Sequence, residues 1–364
     1  MISAAEVENM IRPVLHAVQP YEPVDPPSVL SQKVNMAEKD IIKIDANENP
    51  YGPSAKARKA LAEYPYINLY PDPYQRSLRS SLEKYTGFNS QNILAGSGSD
   101  ELIELILRLF LEPGDKVINC PPTFSMYPFC TQICAGTTVN IPRRDDFSLD
   151  MAAIRKAIDK STKVIFIASP NNPSGNLIQR AEVLQLLDAK MIVVIDEAYF
   201  EFSRVTCADM VHKYPNLLIL RTFSKWAGLA GLRVGYGIFP TNIVNHILRI
   251  KQPYNVNAAA QIAAIESLND LPYLQSTVDK IIGERTRLTG MLKGFSWLQV
   301  FDSSANFILC KVLNREAKKV HLDLQRKGIF VRYYNSPVLE NYIRISVGKA
   351  EQTDRLIAEL REVN

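Results

Sequence analysis

Three short runs, Lys163–Ala168 (KVIFIA), Met191–Ile195 (MIVVI) and Leu217–Leu220 (LLIL), are almost wholly apolar and rich in β-branched residues. Runs of that length and kind predict strands buried on both faces, as in a parallel sheet. Between the first two, Arg180–Leu187 (RAEVLQLL) has the spacing of an amphipathic helix. Upstream, Glu101–Phe110 (ELIELILRLF) predicts a helix after the turn Gly96-Ser97-Gly98-Ser99-Asp100, and Lys116–Asn119 (KVIN) a strand after Pro113-Gly114-Asp115. This alternation predicts an α/β fold built on a doubly wound, mostly parallel sheet. Beyond residue 257 the pattern changes. Helices are expected over Ala258–Leu268 and Leu271–Leu292, strands around Gln299–Phe301, Phe307–Lys311 and Tyr342–Val347, and a last helix over Glu351–Arg361. Near the start, Pro13, Pro20, Pro23, Pro26 and Pro27 disfavour a regular helix and predict an extended arm across 13–27. The expected division is an arm over 1–44 that joins the small domain, a large α/β domain over 45–257 and a smaller α+β domain over 258–364.

Composition narrows the function. The 364 residues are 46% hydrophobic and 22% charged, enough for two domains with substantial cores. The formal net charge of +4 is not gathered into a basic tract, so nucleic acid is not the expected partner. Cys130 and Cys134 have no second cysteine pair or nearby histidine to complete a metal site, so no metal is expected. The five cysteines read as reduced thiols of a cytoplasmic protein. The first 35 residues lack the apolar core of a signal peptide, and no apolar run is long enough to span a membrane.

In an open parallel sheet, ligands bind beyond the carboxyl ends of the strands. The three apolar runs deliver Ser169-Pro170-Asn171-Asn172, Asp196-Glu197-Ala198-Tyr199 and Arg221-Thr222-Phe223-Ser224-Lys225 to that rim. Taken singly, such residues have ordinary explanations: a solvated lysine, a helix-capping aspartate, an Asn-Pro turn. Together they meet the needs of pyridoxal 5'-phosphate (PLP). Lys225 supplies an amine for a Schiff base, and Asp196 a carboxylate for the protonated ring nitrogen. Asn172 and Tyr199 supply donors for the phenolate oxygen. Ser99 and Asp100 at a helix start, with Ser224 and Arg233, supply a phosphate cradle, and Phe124 a ring to stack on the pyridine. A dinucleotide loop is the competing reading of Gly96-Ser97-Gly98. Against it, Glu101 stands where the third glycine belongs, and no strand of the usual unit is expected before the turn.

The strings SPNNPSG, DEAYFEF and RTFSKWAGLAGLRVGY resemble, in order, the motifs of fold-type I PLP enzymes of the class I/II aminotransferase superfamily. DANENPYGP, NLYPDP, GSGSDELI, PPTFSMY, FDSSANFIL and YIRISVG are most similar to its histidinol-phosphate aminotransferase branch. The resemblance implies that Lys225 is the Schiff-base lysine and moves the Cα proton, while Asp196, Asn172 and Tyr199 bind the cofactor ring. It implies a phosphate site of Ser99, Asp100, Ser224 and Arg233, completed by Tyr70 from a neighbouring subunit, hence a homodimer with shared active sites. Arg344 and Arg332 would hold the substrate's anionic group, with Tyr21, Asn47 and Glu48 lining the pocket from the arm. Phe124 stands where some members have tyrosine, and Ser97 where the branch often has a larger polar residue. The implied reaction is ping-pong transamination between glutamate/2-oxoglutarate and histidinol phosphate/imidazole acetol phosphate. Alternatives on the same scaffold are a threonine-phosphate decarboxylase and an aromatic amino-acid aminotransferase. A catalytically silent module is a further alternative, against which the intact set of Lys225, Asp196, Asn172, Tyr199 and Arg233 argues.

Overall fold

The computed structural model describes residues 1–363. Two sheets organise it. The first strand, β1 (Ile42–Ile44), leaves the N-terminal segment and joins a sheet made otherwise from the last third of the chain. Seven strands then form the larger sheet: β2 (Ile93–Gly96), β3 (Lys116–Asn119), β4 (Thr137–Asn140), β5 (Thr162–Ala168), β6 (Ile192–Asp196), β7 (Leu217–Thr222) and β8 (Gly235–Ile238). Their order is β2-β8-β7-β6-β5-β3-β4, and β8 alone runs against its neighbours. The smaller sheet adds β9 (Leu298–Val300), β10 (Phe307–Val312), β11 (Ile329–Tyr333) and β12 (Tyr342–Ser346), in the order β1-β11-β12-β10-β9.

The apolar runs work as two-faced strands. In β5, Ile165 and Ile167 enter one hydrophobic core while Val164, Phe166 and Ala168 enter another on the opposite face. In β6, Val193 and Ile195 likewise oppose Val194. Side chains alternate along a strand, so a wholly apolar run is what two covered faces require. A third core fills the smaller sheet around Ile308, Ile343 and Leu356. Helix Ala258–Leu268 begins just past residue 257, yet its Ala260, Ala263, Ala264 and Leu268 lie in a core of the larger sheet.

The helices over Arg180–Leu187, Ala258–Leu268 and Leu271–Leu292 have the expected bounds. Several other expectations need correction. The proline-rich segment is not extended throughout: Pro13–Ala17 is a 3-10 turn, and Pro27 starts a helix that runs to Val34. Proline is tolerated there because the first turn of a helix has amide hydrogens without internal partners. The helix expected from Glu101 starts at Gly98, so its free amide end begins inside the glycine-serine turn. A strand does precede that turn, β2, which removes one of the two arguments against a dinucleotide loop and leaves the Glu101 argument standing.

Candidate active site

The carboxyl ends of β5, β6 and β7 open into a cavity of about 680 Å³, closed on its far side by residues of the arm and the smaller sheet. Ser99, Asp100, Phe124, Asn172, Asp196, Tyr199, Ser224, Lys225 and Arg233 all line it, as do Tyr21, Asn47, Glu48, Arg332 and Arg344. Of the expected site residues only Tyr70 stands apart. It is 81% exposed and stacks on Tyr254 at 4.4 Å between ring centroids.

At one end of the cavity the chain builds an anion cradle. Gly98 opens its helix at φ +79°, and a Cβ there would lie 2.7 Å from Arg233 Nη2. Glycine is therefore needed both for the backbone conformation and for the approach of the guanidinium. Arg233 donates to Asp100 Oδ2 at 2.8 Å and to Ser224 Oγ at 3.4 Å. It does so from φ +53°, a conformation that costs a residue other than glycine some strain. The free amides of the helix, a hydroxyl and a guanidinium thus converge on one spot, the arrangement that binds a phosphate. Thr222, which also lines the cavity, accepts from the Ser224 amide at 3.1 Å and sets that turn.

At the centre, Lys225 Nζ donates to Ala46 O at 3.2 Å and makes no ion pair among the described residues. Burial, with the Arg344 guanidinium nearby, brings its ammonium down to about 8. Asp196 ends β6 and is buried, which pushes its carboxyl up to about 6. It accepts from the Tyr127 hydroxyl at 2.6 Å and the Ala198 amide at 3.1 Å. A carboxylate so held is an acceptor fixed in place for a cationic ring nitrogen. The residues present fit PLP: an amine with a lowered pKa, a buried carboxylate, and a built anion site lie along one cavity.

The arm and the smaller sheet close the opposite side. Asn47 Nδ2 donates to the Tyr199 hydroxyl at 2.9 Å, and Ser346 Oγ of β12 donates to Asn47 Oδ1 at 2.8 Å. Arg344 donates to Asn172 Oδ1 at 2.6 Å and to Asp45 O at 2.5 Å, so one buried guanidinium of β12 ties the loop after β5 to the segment just past β1. Arg332 stands directly opposite it across the β11–β12 ladder, and among the described residues its hydrogen-bond acceptor is Glu22 O at 3.4 Å. Two cations side by side without a carboxylate between them repel each other. An anionic ligand relieves that repulsion. Asn171, which the sequence places at the rim without a role of its own, ties the loop after β5 to the Phe124 loop by accepting from Thr123 Oγ1 at 2.7 Å and donating to Pro122 O at 3.0 Å.

The family described as Aminotransferase class I and II matches residues 39–360. The chain belongs to the class I and II aminotransferases. A histidinol-phosphate aminotransferase of Dehalococcoides mccartyi is 51% identical to this class I and II aminotransferase over 325 residues, 89% of this chain and 91% of its own. Histidinol-phosphate aminotransferase 1, chloroplastic, of Arabidopsis thaliana is 46% identical over 358 residues, 98% of this chain and 86% of its own. The crystal structure of histidinol-phosphate aminotransferase from Sinorhizobium meliloti in complex with pyridoxal-5'-phosphate superposes with a TM-score of 0.87 at 27% identity, covering 97% of each chain. The expected α/β architecture of this aminotransferase family, one large and mostly parallel sheet with a smaller second sheet, is the one observed.

Proposed function

We propose that the chain transfers an amino group between histidinol phosphate and 2-oxoglutarate, through a PLP-dependent ping-pong cycle in histidine biosynthesis. The observation that carries this reading is the pair Arg332 and Arg344, opposed across two strands in the wall of the cavity that holds Lys225. Two guanidiniums suit a substrate phosphate, and one suffices for the carboxylate of glutamate, so one pocket serves both halves of the cycle. The relatives named histidinol-phosphate aminotransferase support it over nearly the whole chain.

When bound, PLP supplies an electron sink for the negative charge that develops at the substrate Cα. The remaining work falls to the chain. Lys225 takes the Cα proton and returns it, helped by an ammonium pKa near neutrality. Asp196 accepts the hydrogen bond of the ring nitrogen, and Asn172 and Tyr199 face the phenolate oxygen. Ser99, Asp100, Ser224, Arg233 and the amides of the helix at Gly98 hold the phosphate, and Phe124 packs on the ring. Tyr21 and Asn47 border the substrate from the arm. Tyr70 from a second copy completes the phosphate site, in a homodimer with shared active sites. A cytoplasmic setting fits the five free cysteines.

The test compares histidinol phosphate, phenylalanine and threonine phosphate as substrates of the PLP-loaded protein. Histidinol phosphate with 2-oxoglutarate is expected to yield glutamate at a kcat/KM at least about tenfold above that with phenylalanine, a difference of ~1.4 kcal/mol in transition-state binding. Lys225→Ala is expected to lower kcat by on the order of 10²–10⁴. Equal turnover of phenylalanine, or release of carbon dioxide from threonine phosphate without 2-oxoglutarate, overturns the reading.

A further inference from the structure

Both carboxylate oxygens of Asp196 are engaged by the chain itself, Oδ1 by the Ala198 amide and Oδ2 by the Tyr127 hydroxyl. The second bond has an unusual setting. Tyr127 belongs to helix Met126–Ile133 and is fully buried. Its ring stacks on Phe166 of β5 at 4.8 Å with 7° between the planes, and Phe124 meets it edge-on at 5.6 Å. Clamped by two aromatic neighbours, the phenol points its hydroxyl at one acceptor. Its own ionisation is pushed well above the usual range by burial and by Asp196 beside it, so it remains the donor.

The consequence lies with Asp196. Burial drives this carboxyl toward its neutral form, the Tyr127 hydroxyl and the Ala198 amide oppose that drift, the hydroxyl more strongly, and the nearby Asp100 and Glu197 add to it. A donor to an ionised oxygen in a site of low dielectric is among the stronger hydrogen bonds a protein makes. A protonated ring nitrogen needs a carboxylate that is both charged and aimed, and a neutral Asp196 gives it neither.

We propose that Tyr127 is a positioning residue for the cofactor, its hydroxyl fixing the Asp196 carboxylate in place and in its charged form, where it would accept from the ring nitrogen. The inference rests on the PLP reading above. Phe124 and Tyr127, three residues apart, then divide the work: one ring packs on the cofactor and the other orients the acid that charges it. Tyr127 is fully buried at the cavity's border and acts through Asp196.

The experiment uses Tyr127→Phe, Asp196→Ala and the double variant, each purified as apoprotein and titrated with PLP. Tyr127→Phe removes one oxygen and keeps both ring contacts. It is expected to weaken PLP binding about 10-fold or more, the loss of a hydrogen bond to a charged group. The holoprotein's visible absorbance should titrate with a displaced midpoint, and kcat should fall about tenfold with KM little changed. In the Asp196→Ala background the same substitution should alter the PLP dissociation constant by less than about twofold, because the group it acts through is gone. An equal loss in both backgrounds would mean a packing role and sink the proposal. So would a wild-type absorbance titration in Tyr127→Phe, or a Tyr127→Phe apoprotein that does not fold. Failure of the wild-type apoprotein to take up PLP is a separate result, which removes the cofactor reading itself.

Discussion

A lysine attacks an aldehyde only through its neutral amine, so its proton affinity decides when Lys225 can act. Burial and the Arg344 guanidinium bring it down to about 8, while Glu48 and Asp100 pull the other way. The neutral fraction therefore grows with pH through about 8 and is already the larger part below the usual lysine value of 10.5. Uptake of PLP by the apoprotein, followed by absorbance, should speed up with pH to a plateau with its midpoint near 8. In Arg344→Gln the midpoint should move upward, since a neighbouring cation no longer opposes the ammonium. A wild-type midpoint at the ordinary lysine value of 10.5 would contradict the assignment. Lys225, Asp196 and Asn172 were legible in the sequence because each follows an apolar run, where a strand end exposes polar residues to one rim. Tyr127 was not legible. It sits in a helix and meets Asp196 from 69 positions away, a partnership that only tertiary packing creates.

Elements divide in the same way. Wholly apolar strands and long helices announce themselves by period, and Ala258–Leu268 and Leu271–Leu292 match their expected bounds. Short strands such as β4 (TTVN), part-exposed at a sheet edge, and β8 (GYGI), half glycine, carry no such period, and only pairing partners define them. The four-residue helix Phe200–Ser203 is another case, yet it buries an ionisable group. Glu201, its second residue, accepts from the Tyr85 hydroxyl at Oε1 at 3.3 Å, close to Glu197, Arg221 and Tyr236. Arg221 is already committed to Glu197, at 2.8 and 3.0 Å, so two buried carboxyl groups share one guanidinium. Burial pushes Glu201 up to about 8 from 4.5. Between those values the folded state holds a proton that the unfolded state has lost, so stability falls as pH rises from about 4.5 through about 8. Glu201→Gln removes that titration. Thermal melts of the apoprotein should show the variant gaining on wild type as pH rises from 5 to about 9, most steeply below about 8. Parallel profiles would mean that Glu201 titrates normally.

On the scale of the whole molecule, an apolar surface between two helices lies exposed. Tyr66, Ile67, Leu69 and Tyr70 form an exposed, largely apolar run between helices Ala55–Glu63 and Arg76–Thr86, with Tyr254 stacked on Tyr70. Exposed apolar surface of this kind marks an interaction site, and a second copy of the chain is the partner proposed for it above. If Tyr70 serves the neighbour's phosphate, each site draws Lys225 from one copy and Tyr70 from the other. Tyr70→Phe alone should weaken PLP binding about 2- to 10-fold, the worth of one hydrogen bond. Mixing it with Lys225→Ala, under conditions that exchange subunits, separates the two arrangements. In a mixed dimer, one site combines both defects. The other combines an intact Lys225 with an intact Tyr70 and should recover wild-type PLP affinity and turnover. Were Tyr70 to serve its own chain, every site in the mixture would carry a defect, and mixing would restore nothing.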